Sequence, residues 1–562
     1  MSFRIKKAVV LGSGIMGSGI ACHLANIGVQ VTMLDLPSED KNRNKIADEA
    51  LQKSIKSSPA PLYDKSFVNR ISTGNLEDDL YKIGDADWII EVVVERADIK
   101  QSLYAKVEEH RKAGTLITSN TSGIPISVLA EGRSEDFKAH FCGTHFFNPV
   151  RYMALLEVIP HIGTDEKVVD FFMQYGADFL GKKTVLCKDT PAFIGNRIGF
   201  FSGNKINELT SKYNLKISDV DRLTGETIGW PSTGSYRLLD LVGLDTSVKV
   251  TKGVLAACPN DEYVKHLSTL PTPKHTQFLL DNNFLGNKSG QGYYKKTNEK
   301  DENGKTIVYE LDLNSLEYVA PTKPSLESLR LAKKIELIDK RIKDIIHFDD
   351  DGGRFLGSFF GGLFAYSANR LPEIANNIFS IDDAMKSGYA WGYGPFEYWD
   401  MFGLEAGIDL AEKDGNILPS WIHDMKAKGI NKFYSISNGK RHYYDFTSKS
   451  YQPLPNADKI VHLDNYRGNA PVYKNTECII HDIGDGVLCL EFISKANAIG
   501  EGIGQGVVEV LNIAQNGNWK GIVIGNNAKN FTVGANLMAV GMEAMQKNFD
   551  KLNEMVNGFQ QV

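Results

Sequence analysis

The first third of the chain alternates two hydrophobic rhythms. Short continuous apolar runs at Ala8–Leu11, Val29–Leu34, Trp88–Val94, Leu116–Thr118, Ala154–Ile159 and Thr184–Cys187 read as buried strands. Between them, apolar positions return every three or four residues. This predicts helices over Ile15–Asn26, with Gly28 as its stop, and over Asp98–Lys112 and Asp165–Phe179. Strands alternating with helices predict an α/β domain at residues 1–188, a parallel sheet covered by helices.

After Lys188 the helical rhythm takes over. Asp189-Thr190-Pro191 offers a cap and a first-turn proline, which predicts a long helix from there to Tyr213. Residues 189–296 read as an all-α domain. The polar stretch that follows, 297–308 (TNEKDENGKTIV), reads as a linker or hairpin, and 297–330 as the linker between domains. Gly234-x5-Asp240-x2-Gly243-Leu244 returns 160 residues later as Gly394-x5-Asp400-x2-Gly403-Leu404, each copy following a turn rich in Gly, Trp and Pro. Residues 331–450 therefore read as a second copy of the helical domain. Residues 451–562 read as a linker and an incomplete β-α-β segment, with strands at Val487–Glu491 and Gly521–Gly525.

The length of 562 residues suits three or four domains. Hydrophobic residues at 42% and charged residues at 23% are ordinary globular values and exclude global disorder. A net charge of −6 supplies no bulk attraction to nucleic acid or anionic membrane. No run reaches the ~18 apolar residues of a membrane span, so no integral membrane segment is expected. The six cysteines are scattered without a C-x-x-C pair. Neither a metal site nor a disulfide framework is expected, and a reducing cytoplasmic setting is.

Gly12-x-Gly14-x-x-Gly17 lies between the first strand and the first helix. Glycines at these positions permit a tight turn, close approach of a pyrophosphate to backbone, and close packing of helix on sheet. The helix opening at Ile15 and Met16 then offers free N–H groups to phosphate. Asp35, at the end of the second strand, can accept ribose hydroxyls and repel a 2′-phosphate, favouring NAD over NADP despite nearby Lys41 and Arg43.

His145 stands in Gly143-Thr144-His145-Phe146-Phe147-Asn148-Pro149, and Glu157 follows inside the apolar run Ala154–Ile159. A buried glutamate needs a partner, and a histidine so held is a candidate general base for a hydroxyl proton. A satisfied core histidine is the alternative. Ser122 and Asn196 could hydrogen-bond a carbonyl or alkoxide oxygen; a turn and a solvated helix face are their alternatives.

Together these residues resemble the L-3-hydroxyacyl-CoA dehydrogenase family of fatty-acid β-oxidation. The matching strings are GSGIMGSG at Gly12, SNTS at Ser119, HFFNP at His145, LLEVIP around Glu157, KDTPAFIGNR at Lys188 and GNKSGQGYY at Gly286. The resemblance implies a Rossmann-type NAD-binding domain followed by two all-α C-terminal domains. It implies NAD-dependent oxidation of an acyl-CoA substrate, with His145 as base, Glu157 as its partner, and Asn196 and Ser122 on the substrate oxygen. Glu95, Lys100, Asn148 and Lys288 fall at positions that line the family's NAD site, beside Asp35, Ser122 and the glycine loop. One departure is GWPSTGSYR at Gly229, where the family usually has G-x-P-x-G-P-F-E; the second copy keeps Gly394-Pro395-Phe396-Glu397. In single-copy relatives the helical domain pairs two subunits, so a second copy could fill that surface internally. A thiolase partner and a homo-oligomer both stay open. The tail resembles the opening of an enoyl-CoA hydratase (crotonase) domain, with Phe531–Asn536 at its oxyanion-hole stretch and Asn536 in place of the usual Asp; no hydratase activity is expected. Two rival readings of the whole chain are a dehydrogenase of a free hydroxy acid and a non-catalytic assembly subunit.

Overall fold

In the computed structural model one sheet holds eight strands: β1 Lys7–Leu11, β2 Gln30–Asp35, β3 Ile71–Asn75, β4 Trp88–Glu91, β5 Leu116–Ser119, β6 Phe141–Phe146, β7 Leu155–Pro160 and β8 Lys183–Leu186. Their order is β3-β2-β1-β4-β5-β6-β7-β8. The structure describes residues 4–322, 326–437, 440–455, 461–528 and 530–561. Every neighbouring pair is parallel except β6 with β7. The winding reverses between β1 and β4, which opens a crevice at the C-terminal ends of these strands. Val10, Ile89, Ile90, Ile117 and Leu156 are fully enclosed, as the central strands of a sheet covered on both faces must be. Strand β3 (ISTGN) has too few apolar residues to announce itself in the sequence.

The helix expected from Pro191 begins instead at Gly195 and runs to Lys212. Ala192 and Phe193 take left-handed backbone angles, φ 63° and 48°, which no helix can include. Asp189 caps a different element: its carboxylate accepts the backbone N–H groups of Ile126 (2.5 Å) and Ser127 (2.8 Å) at the start of the helix Ile126–Leu129.

Two compact units divide the chain, Met1–Phe433 and Tyr434–Val562. Within the first, the helices after Gly195 show the same hydrogen bonds twice. Asp221 accepts the N–H of Tyr236 (2.6 Å), and Asp382 accepts that of Phe396 (2.9 Å). Asp240 accepts the N–H groups of Tyr293 and Tyr294 (both 2.8 Å), and Asp400 accepts that of Phe433 (2.6 Å). Gly243 (φ 97°) and Gly403 (φ 91°) each turn one helix directly into the next. Trp230 and Trp391 stack face to face, ring centroids 4.0 Å apart.

The polar stretch expected as a linker or hairpin is a hairpin, and the wider segment 297–330 expected as a linker is largely ordered. Strands Tyr294–Lys300, Thr306–Leu311 and Tyr318–Val319 form an antiparallel sheet, and a helix begins at Glu327. The sheet's central strand is exposed at Thr306 and buried at Glu310 and Leu311. Residues 323–325 of that span, and 456–460 of the later expected linker, lie outside the described residues. The second helical segment ends before 450, because Tyr434–Ser437, Lys440–Asp445 and Ser450–Pro453 form a sheet of the second unit. The rest of that unit is a four-stranded sheet with the helix Glu501–Asn516 packed on Cys478, Ile480, Leu488 and Leu490. Among the described residues no helix is long and apolar enough to cross a membrane.

Candidate active site

The crevice starts at the glycine turn. Gly12 has φ 110°, and a Cβ there would lie 2.7 Å from the Val92 carbonyl oxygen. A Cβ on Gly17 would lie 1.9 Å from the Gly12 carbonyl oxygen, so the first helical turn can sit this close to the loop only without a side chain. Gly14 differs: a Cβ there would meet nothing within 4 Å. No side chain caps the helix Ile15–Asn26, so its first N–H groups face the crevice unpaired by a cap, with Ile15 exposed beside them. Met16 packs against the apolar core. Ser13 donates both its N–H (2.6 Å) and its hydroxyl (2.5 Å) to Asp35 Oδ2, so Asp35 braces the loop it faces. Arg43 is engaged by Glu77 (2.6 Å) and Asp78 (2.7 Å).

The ends of β4 and β5 carry a buried polar network. Lys100 is enclosed and donates to Glu91 (2.7 Å), itself fully buried. Glu91 also accepts Tyr104 (2.7 Å), Ser119 (2.6 Å) and the N–H of Val93 (2.7 Å). Lys100 compensates the buried carboxylate of Glu91 and also lies 3.4 Å from Glu95. Glu95 stands above it, accepting the Thr121 hydroxyl (2.6 Å) and the N–H groups of Ser122 (2.9 Å) and Gly123 (3.1 Å). Burial alone would raise the Glu95 carboxyl, but the Lys100 charge and these hydrogen bonds outweigh it and hold it below its usual range. Sequence reasoning missed Glu91 and Thr121 as site residues; the available signals were an acidic residue inside the apolar run Trp88–Val94 and a place in the SNTS string.

His145 and Glu157 are directly opposed on β6 and β7. Glu157 Oε2 lies 2.6 Å from His145 Nδ1. The carboxylate can only accept, so Nδ1 carries the proton and Nε2 is left as the acceptor. Glu157 Oε1 takes the N–H groups of Ile194 (3.1 Å) and Gly195 (2.8 Å). The left-handed turn at Ala192 and Phe193 aims those N–H groups at it, at the positive end of the helix that carries Asn196. The rings of Phe147 and Phe193 flank the imidazole at 4.5 Å and 5.7 Å. Burial, then the Glu157 charge, pushes the nearby Cys187 thiol well up, so it stays neutral.

Asn196 Nδ2 reaches the Ser122 carbonyl at 3.4 Å, which joins the two residues expected on the substrate oxygen. Asn120, between them and the histidine, accepts the N–H of Phe146 (2.9 Å) and ties β6 to the loop after β5. Asn148 lies exposed just beyond the end of β6. Lys288 is the outlier: it pairs with Asp245 at the junction of helices Tyr236–Val242 and Leu244–Ala257.

Residues 7–190 match the family model for the 3-hydroxyacyl-CoA dehydrogenase NAD binding domain, and residues 193–296 match that for the C-terminal domain. Along its whole length the chain is 42% identical, over 577 residues, to a protein of Bacillus subtilis (strain 168) named "Probable 3-hydroxyacyl-CoA dehydrogenase", spanning 71% of it. The chain belongs to the 3-hydroxyacyl-CoA dehydrogenase family. A Rickettsia felis relative, carrying the name of a fatty acid oxidation complex trifunctional enzyme, is 32% identical over the whole chain and 73% of its own length. The crystal structure of 3-hydroxybutyryl-CoA dehydrogenase from Escherichia coli K12 shares the fold, with TM-score 0.51, 22% identity, and 76% of this chain and 95% of that one covered.

As a 3-hydroxyacyl-CoA dehydrogenase the chain is an NAD-dependent oxidoreductase, and its crevice fits that cofactor on two counts. The open space at Gly14 is where a pyrophosphate must approach backbone, and the uncapped helix end supplies the N–H groups for it.

Proposed function

We propose that the chain oxidises the 3-hydroxyl of an (S)-3-hydroxyacyl-CoA to a ketone, with His145 and Glu157 as the acid–base pair. The observation that carries this reading is the double engagement of Glu157, on His145 Nδ1 with one oxygen and on the N-terminus of Asn196's helix with the other. His145 Nε2 takes the hydroxyl proton. Glu157 keeps the ring in one tautomer and stabilises the imidazolium that forms; its two backbone bonds keep its own charge in place. Positioned acid–base catalysis of this kind contributes about 10²–10⁴-fold. Asn196 Nδ2 and Ser122 donate to the substrate oxygen as it becomes a carbonyl. Gly12, Gly14, Gly17, the N–H groups of Ile15 and Met16, and Asp35 would hold NAD. When bound, NAD⁺ supplies the hydride acceptor for C3.

The duplicated Asp-to-backbone bonds and the Trp230–Trp391 stack support reading 195–296 and 331–433 as two copies of one helical domain packed on each other in one chain. Parallel pairing of Val487–Phe492 with Gly521–Gly525 across the helix Glu501–Asn516 supports the hydratase-like reading of the tail.

The test is NADH oxidation with acetoacetyl-CoA, run beside free acetoacetate and a chain-length series of 3-oxoacyl-CoA substrates. Turnover of the thioester and not of the free acid is expected. Preference for the free acid would replace the substrate, and no oxidation of NADH with any of them would overturn the reading.

A further inference from the structure

The second helical segment reaches the candidate site through Tyr389, at the C-terminal end of the helix Ile378–Gly388. Its hydroxyl lies 3.3 Å from Asn196 Oδ1, and its ring packs edge-on against Phe147, centroids 6.3 Å apart. Phe147 in turn lies against the imidazole of His145. The helix bearing Asn196 leaves room for the phenol: a Cβ on Gly199 would fall 2.2 Å from the Tyr389 hydroxyl.

The orientation of the Asn196 amide follows from its two neighbours. The Ser122 carbonyl on one side can only accept, so it faces Nδ2. Oδ1 must then face Tyr389, whose hydroxyl donates to it. Burial, then the charge of Glu157, pushes the Tyr389 phenol up, so the proton stays on it.

We propose that Tyr389 is a positioning residue, supplied by the second helical segment, that locks the Asn196 amide with its N–H₂ turned toward the substrate oxygen. The proposal rests on the reading that Asn196 contacts that oxygen. Without the phenol hydroxyl, only the Ser122 carbonyl at 3.4 Å opposes rotation of the amide, and the rotated amide presents Oδ1 to the substrate oxygen, which repels it. The second segment is then part of the working site as well as a covering surface.

A double-mutant cycle on the full chain tests this, with acetoacetyl-CoA and NADH as substrates. Asn196→Ala is expected to lower kcat by about 10²-fold, the range for loss of one donor to a developing oxyanion. Tyr389→Phe keeps the ring and its packing and is expected to lower kcat by about five- to tenfold with the KM for NADH unmoved, the size of one lost hydrogen bond. The double variant is expected to match Asn196→Ala alone. A wild-type kcat for Tyr389→Phe with Asn196→Ala impaired would overturn the inference and spare the reading of Asn196. Losses that multiply in the double variant would do the same. A wild-type kcat for Asn196→Ala would overturn both. Thermal midpoints close to wild type for the single variants separate positioning from loss of fold.

Discussion

His145 and Glu157 meet because they are cross-strand partners on β6 and β7, and the 2.6 Å contact between Nδ1 and Oε2 follows from that register. Replacing His145 with Gln removes the proton acceptor without disturbing the glycine loop. Its kcat should fall about 10²–10⁴-fold while NADH binding, read by fluorescence titration, stays near wild type. Glu157→Gln is predicted to be nearly as damaging. One amide cannot accept from Nδ1 and from two backbone N–H groups at once, and its own N–H₂ forces the wrong tautomer on the ring or faces other donors. A Glu157→Gln enzyme with wild-type kcat would show that the pair is only structural.

Gly14 and Gly17 make opposite predictions although they belong to one motif. Gly14 has φ −57° and open space where a Cβ would stand, so Gly14→Ala should fold normally. Its methyl group occupies the approach to the helix N–H groups, so NADH binding should weaken by about tenfold or more, some 1.4 kcal/mol. Gly17→Ala forces a methyl onto the Gly12 carbonyl, a backbone atom that cannot swing aside. It should cost more than about 3 kcal/mol of stability, the upper range for overpacking. Denaturant midpoints with and without NADH distinguish the two cases.

What the sequence made legible, and what it hid, follows from how local each cause is. The glycine turn is a backbone requirement at fixed spacing, and a glutamate inside an apolar run calls for a partner such as His145; the strand that carries His145, β6, and its antiparallel pairing with β7 were not read from the sequence. The start of Asn196's helix was illegible, because the left-handed angles at Ala192 and Phe193 are imposed by the site and not by those residue types. Lys100 could be placed near the cofactor crevice, but only the fold shows that its charge is shared between Glu91 and Glu95. Tyr389 carries no signal at all near the motifs, being brought to Asn196 by the packing of one helical segment on the other. The hairpin at the start of the sheet over 294–319 was legible as one of two readings of a polar stretch, but its third strand, Tyr318–Val319, was not, because two residues set no pattern.

A buried ion network joins the same two segments and predicts where the first unit is fragile. Arg197, next to Asn196 and fully buried, donates to Asp261 (2.8 Å) and Glu373 (2.8 Å). Asp261 also accepts the Tyr366 hydroxyl (2.9 Å) and caps the helix Glu262–Ser268 through Tyr263 and Val264. Burial alone would raise the Asp261 carboxyl, but Arg197 and Arg370 outweigh it and keep it ionised. Asp261→Ala leaves the Arg197 charge partly uncompensated and removes the cap. A loss of about 3–5 kcal/mol in urea unfolding is expected. Asp261→Asn, which can still cap, should lose less. Equal midpoints for wild type and Asp261→Ala would mean that the network carries no net stability.

The NAD-binding domain should also weaken in mild acid through His23. This imidazole belongs to the last turn of the helix Ile15–Asn26 and is buried in the core, with Nε2 on the Leu180 carbonyl (3.0 Å). Burial, reinforced by the charge of Lys182, pushes it down to about 4 from the ordinary 6.5. Between those values the unfolded chain binds a proton that the folded chain refuses. Stability is therefore fully present above pH ~6.5 and declines as pH falls toward ~4, by about 2 kcal/mol between pH 7 and pH 5. His23→Gln keeps a donor for Leu180 but does not titrate. Urea unfolding of the two proteins at pH 7 and pH 5 should show the steeper loss in wild type. Parallel losses would place the acid sensitivity elsewhere, with His275, held down to about 4 by burial in the helical segment, as the next group to replace.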